Sequence, residues 1–382
     1  MVSMNDLAPT KRTRLFLIGG FLGAGKTTAI ARLARHFTDQ GLRVGIVTND
    51  QAFDLVDTQT LKAAGFDVGE VAGACFCCKF DDLVETVDQL RQEAEHEGET
   101  AGPPDVILAE PVGSCTDLVA TVIEPLRQMF GDRYETGQFI VLLKPGHGQK
   151  ILGGGEIGFS PKAAYIFLKQ IEEADVVAIN KVDRLTGEER DELTRLIRER
   201  FKDKQVLAVS ARNGDGFDDL IAAMERPAVA HAQMMDVDYD VYAEGEAELG
   251  WLNCKVRVEA AADGKLHLDR TILDLVERLR EAAVNANAEI AHLKVFAEAG
   301  SSIAVANVVE AGQGVELSIA AETEHPTAEL VVNARVAIDP DELTEIVRRE
   351  VASLSDEQGW QAEVADLQSF RPGRPVPTHR VS

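Results

Sequence analysis

Apolar residues in the first 225 or so positions form short continuous runs, and each run is followed by a segment where they recur every three or four positions. Such runs are typical of strands buried on both faces, and the wider spacing is typical of amphipathic helices. Their alternation predicts an α/β domain with a doubly wound, mainly parallel sheet over residues 12–226. The glycine-rich stretch 144–160 is predicted to be a mobile loop. The predicted strands are 14–18, 44–47, 105–109, 139–143, 176–179 and 206–209.

The pattern changes beyond this domain, where every second residue from 252 to 258 is apolar, as in a strand with one buried face. Two amphipathic helices and further alternating segments follow, in the order β-α-β, several strands, β-α-β. This order predicts a smaller α+β domain over residues 249–369, ferredoxin-like with extra strands, that binds a partner or dimerises. The polar stretch 227–248 is predicted to be a linker, and residues 370–382 are predicted to be a disordered tail.

A glycine-rich loop separates the first predicted strand from the first predicted helix. Gly20, four intervening residues, Gly25, Lys26 and Thr27 match the pattern G-x-x-x-x-G-K-[ST]. Glycines let backbone N–H groups face a phosphate, a lysine adds positive charge between the β- and γ-phosphates, and a threonine hydroxyl can hold Mg²⁺. The motif predicts a P-loop NTPase. The predicted phosphate contacts are Gly20, Gly23, Ala24, Gly25, Lys26, Thr27 and Thr28.

A second motif predicts which base the nucleotide carries. Asn180, Lys181 and Asp183 form the N-K-x-D sequence directly after a predicted strand. A carboxylate at Asp183 accepts hydrogen bonds from guanine N1–H and from its exocyclic amine, neither of which adenine offers at those positions. Asn180 is expected to brace the site, and the aliphatic stem of Lys181 to cover the base. A backbone amide at Ser210–Ala211 is expected to contact the guanine oxygen.

Acidic residues end two of the predicted strands. Glu110 follows the strand 105–109, where nucleotidases place the carboxylate that reaches Mg²⁺ through water. Asp50 ends the preceding strand, and we expect it either to contact the magnesium and orient the attacking water or to be a solvated loop residue. Gly113 is expected to donate a backbone N–H to the γ-phosphate. The predicted catalytic residues are Lys26, Asp50 and Glu110.

Three of the five cysteines form a C-x-C-C cluster, Cys75, Cys77 and Cys78. Thiolates bind zinc, copper(I) and other late transition metals, and three protein ligands leave one position open for a metal that is passed on. Glu70 and Cys115 are the candidates for a fourth ligand. Redox chemistry and inert packing are the alternatives. The cluster lies between the Asp50 and Glu110 loops, so metal affinity is expected to depend on the nucleotide.

Charge excludes two classes of partner. Acidic residues outnumber basic ones by 64 to 39, which gives a formal net charge of −25. Nucleic acids and anionic membranes are bound by lysine and arginine patches, so neither is expected as a partner. No apolar run approaches the ~20 residues that span a bilayer. Residues 1–14 lack the pattern of a secretion signal, so we expect a cytoplasmic protein.

The motifs and their order over the first ~230 residues make the chain resemble the CobW-type metallochaperone GTPases, members of the SIMIBI class and relatives of the nickel-inserting GTPases for hydrogenase and urease. The resemblance implies a GTPase that binds Zn²⁺, Co²⁺ or a similar ion at the three cysteines, with Glu70 at the family's acidic position. It also implies delivery to a client metalloprotein and nucleotide-dependent homodimerisation. The alternatives are a GTP-driven reactivase of a corrinoid or other cofactor enzyme, and a metal sensor or buffer.

Overall fold

The computed structural model describes residues 12–51, 56–96, 103–154, 160–227, 234–262, 264–308 and 314–382, with the backbone alone for 93–96. Its strands are β1 (Thr13–Gly19), β2 (Val44–Asp50), β3 (Asp67–Ala72), β4 (Val106–Glu110), β5 (Tyr134–Thr136), β6 (Ile140–Leu143), β7 (Val176–Ile179), β8 (Gln205–Ala208), β9 (Gly250–Glu259), β10 (Leu266–His267), β11 (Ile290–Ala299), β12 (Ser302–Val308), β13 (Glu316–Ile319), β14 (Glu324–His325), β15 (Thr327–Val336) and β16 (Gln361–Phe370). Its α-helices are α1 (Lys26–Asp39), α2 (Val56–Ala63), α3 (Phe80–His96), α4 (Glu124–Phe130), α5 (Pro145–Leu152), α6 (Pro161–Glu173), α7 (Gly187–Arg200), α8 (Phe217–Met224), α9 (Tyr239–Glu246), α10 (Leu268–Asn285) and α11 (Pro340–Gln358). A π-helical turn at Val119–Ile123 precedes α4, and a 3-10 turn at Val182–Arg184 follows β7.

The first unit is built on a parallel sheet with the strand order β3-β2-β4-β1-β6-β7-β8, and β5 pairs with β1. Its central strand β1 is covered on both faces: Phe16 and Ile18 pack with α1 and α8, while Leu15 and Leu17 pack with α3, α6 and α7. This confirms the doubly wound prediction. The strand order reverses beside β1, and in such sheets ligands bind at the carboxyl ends of the strands at this point.

The second unit is a six-stranded antiparallel sheet with the order β13-β12-β11-β15-β9-β16. The segments β9-α10-β11 and β15-α11-β16 form the two β-α-β halves of a ferredoxin-like arrangement, and β12 and β13 extend the sheet beyond β11. Leu252, Cys254, Val256 and Val258 of β9 are buried against α10 and α11. The predicted α+β class and its extra strands are therefore confirmed.

The other face of this antiparallel sheet packs on the first unit. Phe296, Val305 and Val331 form a small apolar cluster with Val56, the first residue of α2. The Val56 backbone N–H donates to Asn333 Oδ1 at 2.8 Å. The second unit therefore covers the edge of the first sheet at which the P-loop lies.

Two segments between the core elements differ from the sequence prediction. The predicted linker 227–248 contains α9, which begins at its cap residue Asp238 and buries Tyr242 fully. Residues 228–233 of that linker lie outside the described residues. Helix α5 occupies much of the predicted loop 144–160, of which 155–159 lie outside the described residues. Pro145 at the first position of α5 favours a helix start that the glycines obscured.

The predicted disordered tail is also different. Residues 371–382 form neither helix nor strand and lie against the first unit. The Val381 N–H donates to the Ala120 carbonyl at 2.9 Å, and Arg380 Nε donates to the buried Asp117 carboxylate at 2.8 Å. Few apolar residues suggested disorder, but backbone donors and arginine side chains make these contacts.

The last residue of α6, Glu173, holds the segment that follows β4. Its carboxyl group accepts from the Val119 N–H and from Thr116 Oγ1, both at 3.2 Å. Burial raises the pKa of Glu173 to about 8. The folded protein therefore keeps this group protonated at neutral pH, whereas the unfolded chain releases the proton above its ordinary pKa of 4.5.

We expect Glu173→Gln to remove this group's contribution to the pH dependence of stability. A raised carboxyl pKa contributes stability below pH 4.5 that is lost as pH rises to about 8. The free energy of unfolding of Glu173→Gln should therefore rise relative to wild type across that window, by an amount on the order of a few kcal/mol. Urea unfolding of both proteins at several pH values measures it. A difference that stays constant with pH would contradict the assignment.

Candidate nucleotide and metal site

The P-loop needs glycine at two positions. Gly20 has φ 133° and a Cβ there would lie 2.3 Å from the Leu142 carbonyl oxygen; Gly25 has φ 89° and a Cβ there would lie 2.6 Å from Asn180 Nδ2. The Ala24 carbonyl accepts from the same Asn180 amide at 2.8 Å. The chain therefore turns tightly at the start of α1, and the base-reading motif is fixed to the phosphate loop.

The N-K-x-D residues meet the end of β8. Asn180 Oδ1 accepts from the N–H groups of Lys181 and Ala211 at 2.8 and 2.9 Å. Asp183 Oδ1 accepts from Ser210 Oγ at 2.6 Å. Lys181 has the left-handed conformation, φ 61°, which turns the chain sharply after β7. The structure thus brings together the five residues that the sequence assigned to the guanine base.

Two carboxylates surround the Thr27 hydroxyl. Thr27 Oγ1 lies 2.7 Å from Asp57 Oδ1 and 3.2 Å from Glu110 Oε1. Lys26 Nζ is 3.9 Å from the same Glu110 oxygen, and the buried Glu110 Oε2 has no hydrogen-bond partner among the described residues. One hydroxyl and two carboxylates are the hard oxygen donors that Mg²⁺ prefers. The residues present therefore fit a magnesium ion.

The two carboxyl groups differ in charge state. Burial, and to a smaller extent the negative charge of Asp57, raise the pKa of Glu110 to about 7. Burial also raises the pKa of Asp57, but the positive charge of Lys294 and the hydrogen bonds from Lys294 and Thr27 outweigh it, so the net effect holds that pKa well below its ordinary value. Asp57 is therefore the permanent negative charge of the cluster, and Glu110 gains its charge most easily when a further cation is present.

A cavity of about 430 Å³ lies over this cluster, between the two units. Of the predicted nucleotide contacts, the residues that line it are Gly23, Gly25, Lys26, Thr27, Thr28, Gly113, Asn180, Lys181, Asp183 and Ala211. Gly20, Ala24 and Ser210 are buried among the surrounding residues. The predicted acids Asp50 and Glu110 also line the cavity, and the second unit adds His292, Lys294, Asn333 and Arg335.

The predicted catalytic acid Asp50 pairs with an arginine of the second unit. Arg335 Nη2 donates to both Asp50 oxygens, at 2.9 and 3.0 Å. The Arg335 side chain is 2% exposed and its guanidinium lies 4.3 Å from the Trp251 ring centre. In this conformation the Asp50 carboxylate is fixed at the cavity wall.

The three sulfurs of the C-x-C-C cluster lie together at the end of β3. The Sγ atoms of Cys75 and Cys77 are 2.9 Å apart, those of Cys75 and Cys78 are 3.3 Å apart, and those of Cys77 and Cys78 are 3.8 Å apart. Hydrogen bonds from neighbouring thiols lower the pKa of Cys75, whereas the bond to Cys75 raises the pKa of Cys78 to about 11. The cluster therefore favours a single thiolate before any metal displaces the remaining protons.

The structure separates the two candidates for a fourth ligand. Cys115 is buried and its thiol hydrogen-bonds with Cys75. Glu70 lies on β3 opposite Thr48 and is not among the described residues whose ligand atoms cluster within 4.8 Å of one another. Cys115 is not among those residues either, so neither candidate completes a four-ligand cluster, although Cys115 contacts Cys75.

Helix α9 forms a polar wall behind the thiols. The Glu246 carboxyl group hydrogen-bonds with Ser114, next to Cys115, and burial raises the pKa of Glu246 to about 8. Glu246 Oε2 and the Tyr242 hydroxyl are buried and have no hydrogen-bond partner among the described residues. Neither residue could be predicted from local pattern, because both lie in the polar stretch 227–248 that was predicted to be a linker.

The C-terminal tail, residues 371–382, covers the cysteine loop, which is the segment 73–79 between β3 and α3. The Thr378 N–H donates to the Cys77 carbonyl at 2.8 Å, and the Val376 N–H donates to Cys78 Sγ at 3.3 Å. The His379 ring packs edge-on against Phe80, with ring centres 5.0 Å apart. Access to the thiols from this side therefore requires the tail to move.

The site and fold described so far define a P-loop nucleotide-binding protein. Residues 14–208 match the family model CobW/HypB/UreG, nucleotide-binding domain. That match covers about half of the chain, and the chain belongs to this family of P-loop GTPases. Among the helices of the described residues, none combines the length and apolar character needed to cross a bilayer.

Two curated relatives are similar to the chain over part of its length. It is 28% identical to the zinc chaperone YeiR of Escherichia coli (strain K12) over 208 residues, which cover 53% of this chain and 57% of YeiR. It is 34% identical to the zinc chaperone CobW of Sinorhizobium sp over 104 residues, which cover 25% of this chain and 27% of CobW. The chain thus spans little more than half the length of the first and about a quarter of the second.

One solved structure aligns with most of the chain. The Zn(II)-bound YjiA GTPase from E. coli is 15% identical to it and has a TM-score of 0.38, over 90% of this chain and 99% of that one.

Removal of residues 371–382 should expose the cysteine loop. We expect Cys78 to react with a disulfide reagent about tenfold faster or more, because contacts worth only about 1.4 kcal/mol reduce access tenfold. Stopped-flow absorbance of the released thiolate measures the rate, and mass mapping assigns it to Cys78. The buried Cys254 of the second unit is the internal control and should stay unreactive. Equal rates at Cys78 in the two proteins would show that the tail does not protect it.

Proposed function

We propose that this protein is a GTP-hydrolysing metallochaperone that binds a transition metal, zinc first, at Cys75, Cys77 and Cys78 and delivers it to a client protein under nucleotide control. Two relatives named zinc chaperones support the metal assignment. The thiol cluster supports it chemically, since soft thiolates suit zinc. Nucleotide-dependent homodimerisation and an intracellular client remain part of this proposal.

The Asn49 side chain connects the cysteine loop to the end of β2 at the cavity. Asn49 Nδ2 donates to the Val71 and Ala74 carbonyls at 2.7 and 2.8 Å, and Asn49 Oδ1 accepts from the Phe76 N–H at 2.8 Å. Asn49 precedes Asp50 at the cavity, so the cysteine loop is fixed to a strand end that the nucleotide would contact. Any displacement of that strand end on hydrolysis would move the thiols as well.

The residues at the phosphate end have separate roles in this proposal. Lys26 and the P-loop N–H groups neutralise phosphate charge, and Thr27, Asp57 and Glu110 are the residues that would hold Mg²⁺. Magnesium, when bound, supplies positive charge to the β- and γ-phosphates. Asp50 is the candidate for orienting the attacking water, which would require its release from Arg335.

Asp183→Asn should change which base the protein accepts. Guanine presents two donors, N1–H and the exocyclic amine, and the asparagine amide can accept from only one of them. Xanthine has a carbonyl in place of the amine, so it presents one donor and one acceptor and fits the amide. We expect kcat/KM for GTP to fall by about 100-fold or more and kcat/KM for XTP to rise. Asp191→Asn, a change of the same type on the exposed face of α7, is the control. An unchanged GTP-to-XTP ratio would show that Asp183 does not read the base.

Metal binding should require the three cysteines and depend on the nucleotide. Zinc is titrated anaerobically, against a competing chelator, into wild type and Cys75→Ser/Cys77→Ser/Cys78→Ser, each with a non-hydrolysable GTP analogue or with GDP. We expect one tight zinc site in wild type alone, with affinities about tenfold apart in the two nucleotide states. Cys254→Ala, which removes a buried thiol of the second unit, should bind zinc as wild type does. Equal affinities in both states would exclude nucleotide control, and tight binding by the triple variant would exclude these ligands.

A further inference from the structure

A lysine of the second unit reaches the phosphate end of the cavity. Lys294 Nζ lies 2.5 Å from Asp57 Oδ1, and the same oxygen accepts from Thr27 Oγ1 at 2.7 Å. Only one carboxylate oxygen therefore separates the ammonium group from the P-loop threonine that would hold magnesium. The two lysines of the phosphate end, Lys26 and Lys294, come from different units.

The strand that carries Lys294 fixes this position. β11 pairs with β12 on one side and β15 on the other, so it is an interior strand of the antiparallel sheet. Leu293 and Val295 point towards the helices of the second unit, which directs Lys294 to the opposite face. Its side chain is 17% exposed and lines the cavity. The cation is thus held by rigid backbone and not by a surface loop.

Among the residues of the second unit that line the described cavity, Lys294 is the cation that remains available to a ligand. Arg335, the other cationic residue of that unit lining the described cavity, donates to both Asp50 oxygens and to Asn253 Oδ1. His292 is only partly buried, and desolvation followed by the charge of Lys294 lowers its pKa to about 3, so it is neutral. Lys294 by contrast makes its ion pair with Asp57, a carboxylate that magnesium would also bind.

We propose that Lys294 is a catalytic residue that contacts the terminal phosphate of GTP, supplied to the P-loop site from the second unit of the same chain. This rests on the proposed GTPase function. With Asp57 holding magnesium, the Lys294 ammonium group would be free to move, and its stem already lies in the cavity. Negative charge on the terminal phosphoryl oxygens in the transition state then attracts it. GDP lacks that phosphate, so Lys294 returns to Asp57 in the product state.

The test separates catalysis from structure by comparing Lys294→Gln, Lys294→Arg and wild type. Steady-state GTP hydrolysis gives kcat, and a fluorescent GDP analogue gives the product-state affinity. We expect Lys294→Gln to lower kcat by about 100-fold or more, since a cation supplied to a transferring phosphoryl group is worth at least that much in related reactions. GDP affinity should stay within about threefold of wild type. Lys294→Arg should restore part of the lost kcat, because it keeps the charge.

Lys255→Gln is the matched control, because Lys255 lies in the same sheet on β9, one strand beyond β15, and does not line the cavity. It should leave kcat unchanged.

Two outcomes would overturn the proposal. One is a wild-type kcat in Lys294→Gln. The other is a parallel loss of GDP affinity and kcat in both Lys294 variants, which would show a structural role. If Lys294→Gln fails to fold, Lys294→Arg decides alone: partial kcat with normal GDP affinity supports the proposal, and lost GDP affinity overturns it. Absence of GTP hydrolysis in wild type would instead refute the proposed function, and this proposal with it.

Discussion

The hydrogen bonds of one buried amide, Asn49, determine where the thiols lie. The side chain makes three hydrogen bonds to the backbone of β3 and the cysteine loop, and it is 6% exposed. A buried backbone group that loses such a partner costs about 1–3 kcal/mol, so the loop has no inexpensive alternative position while β2 stays in place. The position of the cysteine loop therefore depends on the position of the end of β2. Because this strand end also borders the cavity, the properties of the thiols depend on the conformation at the cavity.

The second unit holds both sides of the connection from β2 to α2. Arg335 pairs with Asp50 before it, while Asn333 and Lys294 bind Val56 and Asp57 after it. All three side chains come from the sheet face that carries no helix of its own. The sequence predicted that the second domain binds a partner or dimerises, and the structure shows that this face of its sheet is used within the chain, where it closes the cavity.

The sequence predicted what local patterns encode. Continuous apolar runs fixed the parallel sheet, and the P-loop and N-K-x-D motifs located the phosphate and base ends, because each is a set of neighbours in the chain. Asp57 and Lys294 were missed because their contact joins residues 237 positions apart. In the sequence, Asp57 belongs to no predicted element or motif, and Lys294 is the polar member of a predicted alternating strand. No local pattern distinguishes either from a solvated residue.

The charge distribution resolves an apparent conflict between an acidic protein and a polyanionic ligand. The chain carries a formal net charge of −25, yet the described residues lining the cavity include seven lysines and arginines against five acids. Surface charge is screened over about 8–10 Å in physiological salt, so the cavity wall dominates what a bound triphosphate experiences. The net negative charge opposes binding of extended polyanions at the surface, while a compact nucleotide inside the cavity would meet more positive than negative side chains. Selection among anions is thus made by the enclosure that the second unit completes.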